Sequence, residues 1–183
     1  MTVTSTLPDI LAPDLDVVFC GINPGLAAAA AGHHFLGRGN RFWRVIHLAG
    51  FTPVEIRPEN DRSILQYRCG LTAVVDRPTA QGAQVAVQEF VAATARFERK
   101  ITHYAPRFVA FLGKAAYAAL SGQAAPAWGP QKQLFGGATV WVLPNPSGRN
   151  RAFTVEQLVS AYRRLHRAVA EDRQSGMPLA TRP

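Results

Sequence analysis

The sequence predicts an α/β domain in which a parallel sheet carries helices on both faces. Four short runs, "DVVFC" (16–20), "LTAVV" (71–75), "RFVAFLG" (107–113) and "ATVWVLP" (138–144), are apolar almost throughout rather than alternating. Strands buried on both faces read this way. Helical patterns separate them, so the order alternates β-α-β-α-β-α-β-α, the signature of parallel pairing through crossover helices.

The elements follow in order. The first run ends in the rigid turn "GINPG" (21–25). "NRFWRVIHLAG" (40–50) predicts a helix with Asn40 as its cap and Gly50 as its stop. Over 85–104, Val87, Phe90, Val91, Phe97, Ile101 and Tyr104 recur near the 3.6-residue period. "KAAYAAL" (114–120) predicts a short helix. The stretch 154–172 opens with Thr154 and has Gln157 three residues on, a capping-box pattern. We expect one domain over 14–170, with a flexible segment at 1–13 and a flexible tail at 171–183.

The chain has 183 residues and 48% hydrophobic content, enough for one well-cored domain. Lys and Arg number 20 against 12 Asp and Glu, a net +8 that favours a polyanionic partner. Cys20 and Cys69 form no CxxC pair and are expected as buried thiols, which suits a reducing compartment. The N-terminus lacks the basic and apolar regions of a secretory signal, and no run has the length of a membrane span. The expected location is cytoplasmic, with no membrane partner.

Several chemistries fail on their motifs. Gly113-Lys114 is followed by alanine and lacks the earlier glycine of a phosphate-binding loop. No GxGxxG follows the first strand, and Asn145 occupies the first glycine position of a would-be nucleophile elbow at Ser147. Zinc-deaminase signatures are absent, and His33 and His34 have no metal-ligand spacing, so no metal or cofactor is expected.

In doubly wound sheets, ligands bind beyond the carboxyl ends of the strands. "GINPG", "DRPTAQ" (76–81) and "NPSGRNR" (145–151) stand at three such ends. Asn23 either braces its turn or orients a water. An amide is a weak base, so the second role suits an electrophile that is already cationic, as in cleavage of an N-glycosidic bond. Phe35, on a glycine-flanked loop, is either a stacking plate for a flat base or a core cap. Arg149 and Arg151 beside Gly148 either meet phosphates, enter a base stack, or face solvent. Asp76 either holds or activates the water, pairs with Arg77, or caps a turn.

"VVFCGINPG", "GHHF…GNRFW", "YRCGLTAVVDRPT" and "VLPNPSG", in this order, resemble the mismatch-specific uracil/thymine DNA glycosylases of the uracil-DNA glycosylase superfamily. The resemblance runs from about Asp14 to about Arg167. It implies a three-layer α/β/α fold with a four-stranded parallel sheet. It also implies a monofunctional, cofactor-free enzyme that flips uracil from duplex DNA, preferentially opposite guanine, and leaves an abasic site. Under it, Asn23 positions the water, Phe35 stacks on the flipped base, and backbone groups of Ile22 and Phe35 bind the uracil edge. Gly148, Arg149, Asn150 and Arg151 fall on the loop that fills the vacated space and reads the widowed guanine. Arg149 stands where a common bacterial form has leucine, as in the more basic eukaryotic loop. Ala28 stands where bacterial members can carry serine, leaving room for the 5-methyl of thymine. The implied partner is double-stranded DNA with U·G mismatches or damaged pyrimidines, met by a monomer. Two rivals remain at this point: a non-catalytic lesion binder of the same fold, and a hydrolase of free nucleosides.

Overall fold

The computed structural model describes residues 6–176. Its centre is a five-stranded sheet of order β2-β1-β3-β5-β4. The strands are β1 (Val17–Gly21), β2 (Cys69–Ala73), β3 (Phe108–Leu112), β4 (Gly129–Phe135) and β5 (Ala138–Leu143). Four run parallel, in registers that set Val17 opposite both Cys69 and Phe108, and Phe108 opposite Thr139. These are the four apolar runs, so the α/β/α expectation holds. The addition is β4, antiparallel to β5 at the sheet edge. Its sequence, GPQKQLF, is mostly polar and exposed between its ends, which is why a search for continuous apolar runs passes over it.

The helices are α1 (Leu26–Ala31), α2 (Phe42–Ala49), α3 (Val87–Tyr104), α4 (Lys114–Ser121) and α5 (Val155–Ser175), with a 3₁₀ run at Pro58–Tyr67 ahead of β2. Side-chain alternation along the strands splits the core in two. Val17, Phe19, Phe108, Ala110 and Leu112 face α2 and α5, where Phe42, Ile46, Leu158, Tyr162 and Leu165 meet them. Cys20, Val109, Phe111, Val140 and Val142 face α3 and α4, where Phe90, Phe97, Ile101 and Tyr117 meet them. Each fully buried large apolar side chain contributes about 1.5–3 kcal/mol, so the two faces hold the three layers together.

Thr154 caps α5 as its sequence indicates. Its Oγ1 accepts from Gln157 N at 3.2 Å, and Gln157 Oε1 accepts from Thr154 N at 2.8 Å. Thr154→Ala is expected to cost about 1 kcal/mol of stability, read from the denaturant midpoint.

Both ends of the described chain are tied to the body. Ile10 is buried and exchanges backbone hydrogen bonds with Leu71 at 2.9 and 2.8 Å. Asp9 accepts from Thr72 Oγ1 and pairs with Lys100 Nζ, both at 2.7 Å. At the other end α5 continues to Ser175, because Asp172 is buried against Arg107 and Arg173 reaches Asp16. Apolar burial and ion pairs extend the ordered body at both ends; residues 1–5 and 177–183 of the expected flexible segments lie outside the described residues.

Candidate functional site

β2 and β3 lie on opposite sides of β1, so the winding direction reverses there. The crevice at such a reversal, outside the carboxyl ends of β1 and β3, is where an open α/β sheet takes its ligand. Gly113, just past β3, confirms that the strand ends converge. A Cβ there would stand 3.8 Å from Asn145 Cβ, past β5, and 3.9 Å from Ile22 Cδ1, past β1.

The "GINPG" turn is laced to the segment after β2. Val75 N donates to Ile22 O at 3.1 Å, Thr79 N to Pro24 O at 3.0 Å, and Leu26 N to Thr79 O at 3.2 Å. Asn23 completes the lacing with its side chain. Nδ2 donates to Arg77 O at 2.7 Å and to Thr79 Oγ1 at 2.8 Å. Thr79 Oγ1 in turn donates to Gln81 O at 2.7 Å, so toward Asn23 it acts as acceptor. An amide nitrogen has two hydrogens, and both are committed. Turning the amide over would press Oδ1 against a carbonyl oxygen, so the orientation is fixed. What Asn23 presents away from this clamp is therefore an acceptor, Oδ1.

Arg77, whose carbonyl receives Asn23, is itself anchored. Its guanidinium forms two bonds to Glu89 at 2.7 and 2.9 Å. The hydrogen bond from Arg77, then the Ala86 N–H, hold the Glu89 carboxyl down at about 2. A depressed acid contributes its stabilisation above the ordinary carboxylate range and loses it as pH falls through about 2.

Asp76 does not pair with Arg77. Its carboxylate lies 2.5 Å from Arg96 Nη1 on α3, in a pair exposed on both sides. Exposed pairs are worth at most about 1 kcal/mol. Asp76→Ala is expected to shift stability by no more than that and to leave excision at the wild-type rate, measured in single turnover.

Phe35 is held on a pinned loop. His34 N donates to Asp61 Oδ2 at 2.8 Å, Trp43 Nε1 to His34 O at 3.1 Å, and the His34 ring meets Pro8 O through Nε2 at 2.8 Å. Burial lowers the His34 pKa, so the ring is neutral and Nε2 carries the donated proton. Phe35 then adopts φ 56°, a left-handed conformation that costs a phenylalanine on the order of 1 kcal/mol. Its ring lies flat on Phe42, centroids 3.9 Å apart and planes 19° apart. Phe42 in turn meets Phe19 of β1 edge-on at 5.3 Å. One face of a half-buried ring is thus propped on the core. A cavity of about 640 Å³ adjoins Phe35, lined also by Arg38, Arg44 and Arg57; Asn23 and Ile22 are not among its lining residues. Ala28 is buried in α1, and its carbonyl closes that helix by accepting from Gly32 N and His33 N.

The loop after β5 is built from within. Asn145 Oδ1 accepts from Ser147 N at 2.9 Å. Asn150 Nδ2 donates to Asn145 O at 2.9 Å, and its Oδ1 accepts from Ala152 N at 3.2 Å. Asn150 therefore ties the loop internally, while Gly148, Arg149 and Arg151 are exposed. Sequence reasoning did not single out Thr79, Asp61 or Arg41. Thr79 stands three residues past Asp76 in a stretch read only as a loop, and no local pattern marks a residue whose partners lie over a hundred positions away, as those of Arg41 do. Among the described residues, no group of three or more His, Cys, Asp or Glu could hold a metal ion.

Fold and site together define an α/β protein with an oriented amide, a propped aromatic ring and a basic loop distributed along the carboxyl edge of its sheet. The model of the uracil DNA glycosylase superfamily matches residues 8–166, and the chain belongs to that family. A solution NMR structure of a candidate uracil DNA glycosylase from Methanosarcina acetivorans shares the fold, with a TM-score of 0.58 at 21% identity over 89% of this chain and 98% of that one. Family membership makes the protein a DNA glycosylase, a hydrolase of N-glycosyl bonds that serves base excision repair.

Proposed function

We propose that the chain is a monofunctional mismatch-specific glycosylase that extrudes uracil from duplex DNA, preferentially opposite guanine, and leaves an abasic site. The observation that carries this reading is the clamped amide of Asn23. With Nδ2 held by Arg77 and Thr79, Oδ1 is the group left to accept a hydrogen bond from water.

The chemistry follows from that acceptor. Basic residues, Arg151 among them, hold phosphates in a sequence-blind, salt-sensitive contact. The target base leaves the stack at a cost of a few kcal/mol, least for a wobble pair. Arg149 enters the gap and Phe35 stacks on the extruded ring. Backbone groups at Ile22 and Phe35 meet the uracil edge and favour the charge that gathers on the departing base. The C1′–N1 bond breaks with its electron pair going to the uracil ring. Water oriented by Oδ1 of Asn23 adds its oxygen to C1′, and its proton passes through solvent to the uracil anion. An amide accepts that proton poorly, so the sugar must be strongly cationic before water bonds. Asp76 is assigned to its pair with Arg96 and not to this step.

Single-turnover excision on duplexes carrying U·G, T·G and U·A pairs tests the reading. The expected order of rates is U·G first. Tight binding of a U·G duplex with no base released would instead identify a lesion binder, and release from free deoxyuridine alone a nucleoside hydrolase.

A further inference from the structure

We propose that Arg41 is a positioning residue: it joins the base-stacking loop and the basic loop into one preformed unit, so that Arg149 stands ready to enter the duplex as the base leaves. The inference deepens the proposed function and rests on its reading of 148–151 as the inserting loop.

Arg41 directly precedes Phe42, the ring on which Phe35 lies. Its guanidinium is turned inward. Nη1 donates to Phe153 O at 2.7 Å, Nη2 to Asn150 O at 2.7 Å and to Ser147 O at 2.9 Å, and Nε to Pro146 O at 3.3 Å. Its backbone N–H also donates to Pro146 O, at 3.1 Å. A guanidinium has five N–H donors in a rigid plane, and all four bonds it makes here go to carbonyls of one loop. An arginine so engaged is not a phosphate contact. A lysine, with a single ammonium on a flexible stem, cannot reach the same set.

A second contact clasps the same two loops. A Cβ on Gly148 would stand 2.5 Å from Gly39 O and 2.9 Å from Gly39 C, so the two backbones touch and no side chain fits between them. The Phe35 loop and the 146–153 loop are therefore fixed to each other from both sides of the clasp. Arg149 projects from this base, its own N–H donating to Ser147 Oγ at 3.3 Å. A loop already in its working shape loses little conformational freedom on insertion, and a misplaced one loses rate.

The test uses the full chain with Arg41→Lys and Arg41→Met, alone and with Arg149→Ala. Hydrogen exchange is expected to quicken at the amides of 147–153 in both single variants while the sheet keeps its protection. Single-turnover excision on a U·G duplex is expected to fall by about 10²-fold. In the Arg149→Ala background neither substitution should add a further loss, since both act through the same side chain. Gly148→Ala, on the exposed loop, should reproduce the exchange and rate effects without touching Arg41. Unchanged exchange at 147–153, or losses that multiply with that of Arg149→Ala, overturns the proposal. A wild-type protein that releases no uracil defeats the substrate reading instead, and the exchange measurement still decides whether Arg41 holds the loop.

Discussion

Asn23→Ala is expected to bind U·G duplex as wild type does and to excise uracil slower by about 10²-fold or more. The asymmetry follows from what the side chain touches. Oδ1 meets neither phosphate nor base stack in the proposed complex, so affinity for the duplex is carried elsewhere. It orients the one molecule that must reach C1′. Truncation also strands the Arg77 carbonyl, which is exposed and takes water in place of the lost donor, while the buried Thr79 hydroxyl keeps its bond to Gln81 O. Asn23→Asp sharpens the test. A carboxylate is the stronger base, so excision is expected to be retained or quickened, provided the Thr79 hydroxyl turns from Gln81 O to donate to it. It also loses both donated hydrogens and brings an oxygen toward Arg77 O, so the measurement should be made above the aspartate pKa with duplex saturating. An inactive Asn23→Asp on bound duplex, or an Asn23→Ala with wild-type rate, would remove Asn23 from the chemistry.

Much of this architecture was legible in the sequence because burial on both faces of a strand leaves a simple mark. "RFVAFLG" and "ATVWVLP" are unbroken apolar runs, and they became β3 and β5 within a residue or so at each end. Thr154 and Gln157 marked the start of α5 because a capping box is local chemistry. What escaped is what depends on distant partners. The strand β4 owes its place to pairing with β5, with little apolar content of its own. The end of α5 is set by Asp172 meeting Arg107, sixty-five positions away. The site shows the same division. Asn23, Phe35 and Arg149 stood out by residue type in an unusual turn or loop. The Thr79 clamp and the Arg41 clasp exist only once the strand ends have converged.

The αL backbone of Phe35 and its flat contact with Phe42 lead to the second large effect. A ring propped at 3.9 Å on another ring has one face covered, which leaves its opposite face as the natural platform for a base. Stacking on such a platform is worth about 1–3 kcal/mol per base, so Phe35→Ala should weaken capture of the extruded uracil by roughly 5- to 150-fold. The loss should appear in single-turnover titrations as a higher half-saturating duplex concentration and a lower maximal rate together, because extrusion precedes chemistry. Stability should change far less, by about 0.5–1.5 kcal/mol for the lost aromatic pair, since the ring is only half-buried. Two further substitutions separate stacking from packing. Phe35→Tyr keeps a planar ring and should keep most activity. Phe35→Leu keeps apolar volume over Phe42 without a flat face and should resemble alanine. If leucine instead restores wild-type excision, the ring is a core cap over Phe42 and the base is held by something else.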